Sequence, residues 1–169
     1  MIIMLWLDFW TFMTYFGEIS FWLGAATISA LMYRVVPKKS KRYLNWFIFA
    51  TLPAITVSYF TVSVLKIIFA VPRPCIGIDC PTDYSFPSGH SAVIFSAVTM
   101  FTLFFHKKRN IHFVLITIAL LTAYSRVVLG VHTLLDIIGG IFVGIAVAFL
   151  IYKNYKEIIK KIHEIKLEK

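Results

Sequence analysis

The chain has 169 residues, of which 59% are hydrophobic and 15% charged, and its mean hydropathy is +0.81. Soluble globular domains are about 45–50% apolar and about 25% charged, so this composition argues against a soluble domain. Aromatic residues make up 17%, which excludes a disordered chain. The net charge of +9 would suggest nucleic acid binding in a soluble protein, whereas here it serves as a topology signal. We therefore expect an integral membrane protein without a nucleic-acid partner.

The first segment, residues 1–16, is apolar but short. Its more polar members, Asp8, Thr11, Thr14 and Tyr15, recur at helical spacing on one side. This pattern fits an amphipathic helix at the membrane interface. A short sixth span packed against its neighbours is the alternative.

Five longer apolar runs follow, at residues 18–36, 43–70, 87–105, 111–130 and 133–152. Each is predicted to be a helix, because a bilayer core admits only helices and closed barrels, and the runs lack the alternation of barrel strands. The sequence thus predicts an all-α, polytopic transmembrane helix bundle with five spans. Residues 1–152 would form one membrane-embedded domain and residues 153–169 a basic tail.

The basic residues divide unequally between the two sides of this bundle. Fourteen of the 17 Lys and Arg residues lie at residues 34–42, 107–109 and 153–169, which share one side if the five spans alternate. The positive-inside rule places that side in the cytoplasm. The other three, Lys66, Arg73 and Arg126, lie on the outer side, and ionisable residues in or beside spans usually serve function.

Two of these cations lie near the end of an apolar run and form the first outer element. Lys66 and Arg73 are seven residues apart, so a helix continuing through both would present them on one face. Pro72 and Pro74 then break the helix. The next outer element, Pro87-Ser88-Gly89-His90, is typical of a helix start with free N–H groups for an anion, and its histidine is a proton donor or acceptor.

The third outer element contains Arg126, His132 and Asp136. Spacing of four puts His132 and Asp136 on one helical face. The carboxylate could then bind one imidazole nitrogen and leave the other as a nucleophile. A capped helix start is the structural alternative for this pair.

These outer elements together supply three cations, two histidines and one acid. Three cations around one point favour a multiply charged anion, with phosphate the obvious candidate. The remaining carboxylates form no cluster for Mg²⁺ or Ca²⁺, and the histidines lack the partners of a zinc site. The sequence therefore predicts metal-independent phosphate chemistry without a cofactor.

Three parts of the sequence together resemble the signature of the type 2 phosphatidic acid phosphatase superfamily. They are Lys66 followed by Arg73-Pro74, the Pro87–His90 motif, and Ser125-Arg126 followed by His132 and Asp136. The resemblance implies catalytic roles for three residues: His132 as nucleophile, Asp136 as its orienting acid, and His90 as general acid and base. It also implies that the phosphate is bound by Lys66, Arg73, Ser88, Gly89 and Arg126.

The resemblance further implies hydrolysis of a lipid phosphate through a phosphohistidine intermediate, at the outer face of a prokaryotic cytoplasmic membrane. Phosphatidylglycerophosphate, phosphatidic acid, undecaprenyl diphosphate and lipid A 1-phosphate are the substrates expected of such enzymes. A lipid-to-lipid phosphotransferase would use the same site. A non-enzymatic anion- or lipid-binding membrane protein would explain the cations but not the histidines. The oligomeric state is not predicted.

Three secondary features bear on this site. Cys75 and Cys80 could form a disulfide on an oxidising face, or remain free thiols. Asp79 and Asp83 are interpreted as solvated loop residues. The Gly140-x-x-x-Gly144 pattern predicts close helix packing inside the bundle.

Overall fold

The computed structural model describes residues 2–75, 80–107 and 109–167, and this part of the chain contains helices and no strands. The α-helices are α1 (Ile2–Thr14), α2 (Ile19–Met32), α3 (Lys38–Trp46), α4 (Leu52–Phe69), α5 (Gly89–Phe104), α6 (Arg109–Val128) and α7 (Leu134–Leu167). A π-helical stretch, Phe47–Thr51, joins α3 to α4 in one continuous helix. The all-α prediction is confirmed.

In the part of the chain that the structure describes, three helices are long and apolar enough to cross a membrane, namely Lys38–Phe69, Arg109–Val128 and Leu134–Ile162. Helices α2 and α5 are apolar but have 14 and 16 residues, fewer than the roughly 20 that a span normally requires. The transmembrane character of the bundle thus agrees with the sequence, while the number of five spans stays a prediction.

Helix α5 lies at the centre of the bundle and packs against α4, α6 and α7. Its contact with α7 is close because glycines stand where side chains would collide. A Cβ at Gly140 would meet the carbonyl oxygen of Ser88, and a Cβ at Gly144 would meet that of Ala92. The predicted internal packing of the Gly140-x-x-x-Gly144 pattern is confirmed.

The N-terminal helix α1 packs along α6. Trp10 is buried there and meets Tyr124 edge to face, with 5.7 Å between ring centroids. With 13 residues, α1 is about 20 Å long, whereas the hydrocarbon core is about 30 Å thick. Its last residues and the turn at Tyr15–Gly17 lie beside the start of α5 and the end of α6, where they contribute to the site described below.

The two ends of the bundle differ in charge. At one end, Lys38, Lys41 and Arg42 from α3 line a cleft together with Lys156 and Lys160 from α7. Helix α7 reaches this cleft by continuing from Leu134 through the basic tail to Leu167 as one helix. The opposite ends of α4 to α7 surround a second cavity, which contains the motif residues.

Candidate active site

A cavity of about 380 Å³ lies at the helix ends opposite the basic cleft. It is lined by side chains and backbone from α4, the following loop, α5, α6 and the Tyr15–Gly17 turn. The polar and glycine residues that line it are Gly17, Glu18, Ser20, Tyr59, Ser63, Lys66, Arg73, Asp83, Gly89, His90, Arg126 and His132. Six of the eight residues predicted to form the site therefore face one cavity, although they come from three separate motifs.

Lys66 lies in the last turn of α4, which ends at Phe69. Ala70 adopts the left-handed conformation, with φ of 49°, and its N–H donates to the Lys66 carbonyl at 2.9 Å. The helix therefore stops before Arg73, close to the predicted end of the run at residue 70, so Lys66 and Arg73 do not share a face of one continuous helix. Both side chains still reach the cavity and are largely shielded, with exposed fractions of 12% for Lys66 and 7% for Arg73.

An acidic loop residue, Asp83, pairs with both of these cations. Its Oδ2 lies 2.5 Å from Lys66 Nζ, and its Oδ1 lies 2.5 Å from Arg73 Nη2. Burial acts to raise the pKa of Asp83, but the hydrogen bonds from Lys66 and Arg73 outweigh it and hold the pKa below its usual value. Asp83 is half-exposed, as expected of a loop residue, but its ion pairs with Lys66 and Arg73 were not predicted from the sequence. Asp79 lies outside the described residues.

His132 lies in the turn between α6 and α7 and is held at both nitrogens. Its Nδ1 is 3.3 Å from Asp136 Oδ2, and its Nε2 accepts from Arg73 Nη1 at 3.2 Å. Because guanidinium only donates, Nε2 carries the lone pair and Nδ1 the proton. Burial first, and then the charges of Arg73, Lys66 and Arg126, lower the pKa of His132. The imidazole is thus neutral, and its Nε2 lone pair lies at the cavity wall, where it accepts the hydrogen bond from Arg73.

Asp136 is itself fixed by the start of α7. Its Oδ2 also accepts from the Thr133 N–H at 2.8 Å, and its Oδ1 accepts from the Ser85 hydroxyl at 3.4 Å. Only 2% of its side chain is exposed. The carboxylate is therefore positioned by backbone and side-chain donors, and it orients His132 from outside the cavity.

His90 lies in the first turn of α5 and lines the cavity. Its Nε2 is buried and has no hydrogen-bond partner among the described residues. Gly17 packs directly against the ring: a Cβ at this position would lie 2.8 Å from His90 Cβ and 3.0 Å from Cδ2. The turn at Gly17 is held in turn by the Trp22 indole, which donates to the Phe16 carbonyl at 2.9 Å. The sequence motifs do not identify Gly17, although it is an isolated glycine between two apolar helices.

Arg126, near the end of α6, lines the cavity from the side of α1. Its Nη1 donates to the Thr14 hydroxyl at 2.5 Å. Its Nε is buried without a hydrogen-bond partner in the described part of the chain. Thr14 is a further residue that the motifs alone did not identify.

Ser88 and Gly89 differ in their access to the cavity. Ser88 is fully buried, caps α5 by accepting from the Ser91 N–H at 3.5 Å, and donates its own N–H to the Asp136 carbonyl at 2.9 Å. It does not line the cavity, whereas Gly89 does. The predicted phosphate contact of Ser88 stays a prediction, and its observed contacts join the start of α5 to α7.

The loop that contains Asp83 is cross-linked near Arg73. Cys75 and Cys80 form a disulfide, with their Cα atoms 5.7 Å apart. The loop ends are also joined, because the Ser85 N–H donates to the Val71 carbonyl at 2.8 Å. These links restrict the loop that presents Arg73 and Asp83 to the cavity.

Comparison with known proteins agrees with this geometry. The sequence profile of the PAP2 superfamily matches residues 45–160. The chain is 40% identical over 70 residues to an undecaprenyl-diphosphatase of Sulfolobus acidocaldarius. The aligned segment covers 41% of this chain and 33% of that protein. It is 35% identical over 91 residues to phosphatidylglycerophosphatase B of Bacillus subtilis, and this aligned segment covers 49% of this chain and 44% of that protein. Thus the chain spans less than half of the length of these curated relatives.

A solved structure extends the likeness to most of the fold. The crystal structure of a transmembrane PAP2-type phosphatidylglycerolphosphate phosphatase from Bacillus subtilis superposes with a TM-score of 0.73 at 26% identity. The superposition covers 90% of this chain and 77% of that one. With the profile match over the three motifs, it establishes that the chain is an integral membrane protein that belongs to the PAP2 superfamily.

Proposed function

We propose that this protein is a lipid phosphatase that removes a phosphate from a membrane lipid without a metal ion. The observation that carries the proposal is the arrangement of His132, which is held between Asp136 and Arg73 at the wall of a cavity that also contains Lys66. A neutral imidazole beside clustered cations suits nucleophilic attack on a phosphate group.

In the first step, the hydrogen bond from Arg73 Nη1 to His132 Nε2 opens, the Nε2 lone pair attacks phosphorus, and the bond between phosphorus and the lipid oxygen breaks. His90 donates its proton to the departing oxygen. The resulting phosphohistidine carries positive charge on the ring, which the Asp136 carboxylate at 3.3 Å from Nδ1 stabilises. In the second step, His90 takes a proton from water, the water oxygen bonds to phosphorus, and the bond to Nε2 breaks to release phosphate.

The negative charge of the phosphate would be held by Lys66, Arg73 and Arg126, with the Gly89 N–H at the start of α5 as a further donor. Ser88 is proposed to act with them. The unpartnered Nε of Arg126 supports this role, because a buried donor needs an acceptor. Three cations repel a divalent metal ion, which supports chemistry without one; activity should persist in excess chelator.

The substrate would approach from the membrane. A cavity at the ends of apolar helices places the phosphate at headgroup depth while the lipid tails remain in hydrocarbon. We propose that five spans and α1 form a phosphatase domain over residues 1–152, with the tail at 153–169 in the cytoplasm and the site facing the periplasm or exterior of a prokaryotic cytoplasmic membrane. The separation of the basic cleft from the cavity, at opposite helix ends, supports this orientation.

The test is phosphate release from four lipids by the purified full chain: phosphatidic acid, phosphatidylglycerophosphate, undecaprenyl diphosphate and lipid A 1-phosphate. We expect release from at least one, its loss in His132→Ala, and an unchanged melting profile of that variant. Full activity in His132→Ala would refute the mechanism. Absence of release from all four lipids would refute the proposed substrates, and labelled phosphate appearing on a second lipid would indicate a phosphotransferase.

A further inference from the structure

The carboxylate of Asp83 already occupies the anion-binding groups of the cavity. Arg73 donates to it through Nη2 at 2.5 Å and through Nε at 3.1 Å, and Lys66 lies 2.5 Å from its other oxygen. These are two of the three cations that would hold the phosphate of a substrate. The substrate phosphate and Asp83 therefore compete for the same donors.

The position of Asp83 suits an anion that leaves when a stronger one arrives. Lys66 and Arg73 are largely shielded, so each needs an anionic partner to offset its burial. Asp83 has 53% of its side chain exposed and belongs to a loop rather than a helix. Its carboxylate can thus turn to water at small cost, whereas the cations remain attached to α4 and to the carbonyl of Val131.

We infer that Asp83 is a specificity-determining residue, which admits phosphate groups carrying more than one negative charge and excludes singly charged phosphodiesters. A phosphomonoester carries about −1.5 to −2 charges at pH 7, and its attraction to the cations exceeds that of a carboxylate with one charge. A phosphodiester carries one charge and has no such advantage. Because most membrane phospholipids are phosphodiesters, Asp83 would keep the cavity free of the surrounding lipid. The inference rests on the proposed function.

A purely structural role for Asp83 makes the opposite prediction. If the carboxylate only positioned Lys66 and Arg73, its removal would weaken the binding of every phosphate compound alike. Competition instead predicts tighter binding in Asp83→Asn, and the largest gain for compounds with a single charge.

Binding is measured as the rise in melting temperature of the detergent-solubilised full chain, with inorganic phosphate and dimethyl phosphate as probes. In the natural protein we expect stabilisation by phosphate but not by dimethyl phosphate at equal concentration. In Asp83→Asn we expect dimethyl phosphate to bind at least about tenfold more tightly, the effect of one lost ionic competitor. Asp83→Glu should retain the discrimination.

Glu18→Gln is the matched control. Glu18 lines the same cavity, but its carboxylate accepts a hydrogen bond from the Ser20 hydroxyl and not from Lys66 or Arg73. This change removes one negative charge without freeing Lys66 or Arg73, so it should leave dimethyl phosphate excluded. Equal gains in both variants would overturn the inference, as would weaker phosphate binding in Asp83→Asn. If Asp83→Asn fails to fold, the natural protein decides: equal stabilisation by both probes contradicts the inference.

The activity assay separates this inference from the proposed function. Phosphate release is followed in vesicles with increasing phosphatidylglycerol, a singly charged phosphodiester. Asp83→Asn should be inhibited by it at about tenfold lower mole fraction than the natural protein, and equal inhibition would overturn the inference. Absence of release from all four lipids by the natural protein refutes the proposed substrates but leaves this inference standing, because the melting experiments report on anion selection without turnover.

Discussion

Arg126 Nη1 donates to the hydroxyl of Thr14 at 2.5 Å, although 112 residues separate them in the chain. The contact makes α1 part of the cavity wall, because Thr14 is buried at the end of that helix. A long side chain such as arginine loses rotamer entropy when it binds a ligand. The Thr14 hydroxyl holds the guanidinium in advance and so reduces that loss.

Thr14→Val should therefore weaken substrate binding. Valine has nearly the shape of threonine but lacks the acceptor, so we expect KM to rise about threefold to tenfold and kcat to change less. The measurement is steady-state phosphate release with the best lipid substrate. Thr11→Val, on the exposed face of the same helix, is the control, and an equal rise in its KM would contradict the role of Thr14.

Gly17→Ala tests the packing of the turn against His90. The new Cβ would lie 2.8 Å from His90 Cβ, which requires the turn or α5 to move. Overpacking of this kind costs about 1–3 kcal/mol, so the melting temperature should fall, and a displaced His90 should lower kcat at least about tenfold.

Gly24→Ala is the matched control for that change, since nothing lies within 4 Å of a Cβ at Gly24. Each variant adds one methyl group, at Gly17 in the turn or at Gly24 in α2, but only the methyl group at residue 17 contacts His90. Unchanged kcat and melting temperature in Gly17→Ala would show that the turn yields freely and does not position His90.

Asp136→Asn tests the orientation of His132. The amide keeps the size of the carboxylate but no longer favours the Nδ1–H tautomer or stabilises positive charge on the ring. In hydrolases with a comparable acid and histidine, this type of change lowers kcat by about 10⁴. We expect a loss of at least about 10² here, with KM nearly unchanged, in an assay of phosphate release.

Asp136 also accepts hydrogen bonds from the Thr133 N–H and the Ser85 hydroxyl, so a loss of kcat in Asp136→Asn must be distinguished from a distorted fold. Anion binding makes this distinction. A loss of vanadate or phosphate binding in parallel with kcat would indicate a misfolded cavity. Asp8→Asn, in the exposed part of α1, controls for the loss of one carboxylate.

Much of this arrangement is predictable from the sequence because its signals are local. The apolar runs locate the helices, and the spacing of four between His132 and Asp136 predicts their contact, which is present at 3.3 Å. The two glycines at 140 and 144 predict a close helix contact inside the bundle for the same reason, since helical periodicity places both on one face. That the partner is α5 is seen in the structure.

The missed features depend on tertiary contacts that no local spacing encodes. Asp83 meets Lys66 and Arg73 across a loop whose path depends on where α4 ends, and α4 ends at Phe69 rather than continuing to Arg73. Thr14 and Gly17 approach Arg126 and His90 only after α1 packs on α6. The continuation of α7 through the basic tail was also missed, although Lys, Glu and Ile at helical spacing are compatible with it.

The protonation of His132 should determine how activity depends on pH. Burial and the nearby cations lower the pKa of His132 from the ordinary value of 6.5, so its neutral, nucleophilic form persists as pH falls below 6.5. We therefore expect kcat/KM to show no acid limb from His132 between pH 7 and about pH 5.5, in contrast to an ordinary histidine nucleophile. Lys66→Gln removes one of the repelling cations, so its remaining activity should show that limb at higher pH. An acid limb at or above pH 6.5 in the natural protein, unaltered in Lys66→Gln, would mean that these cations do not control the protonation of His132.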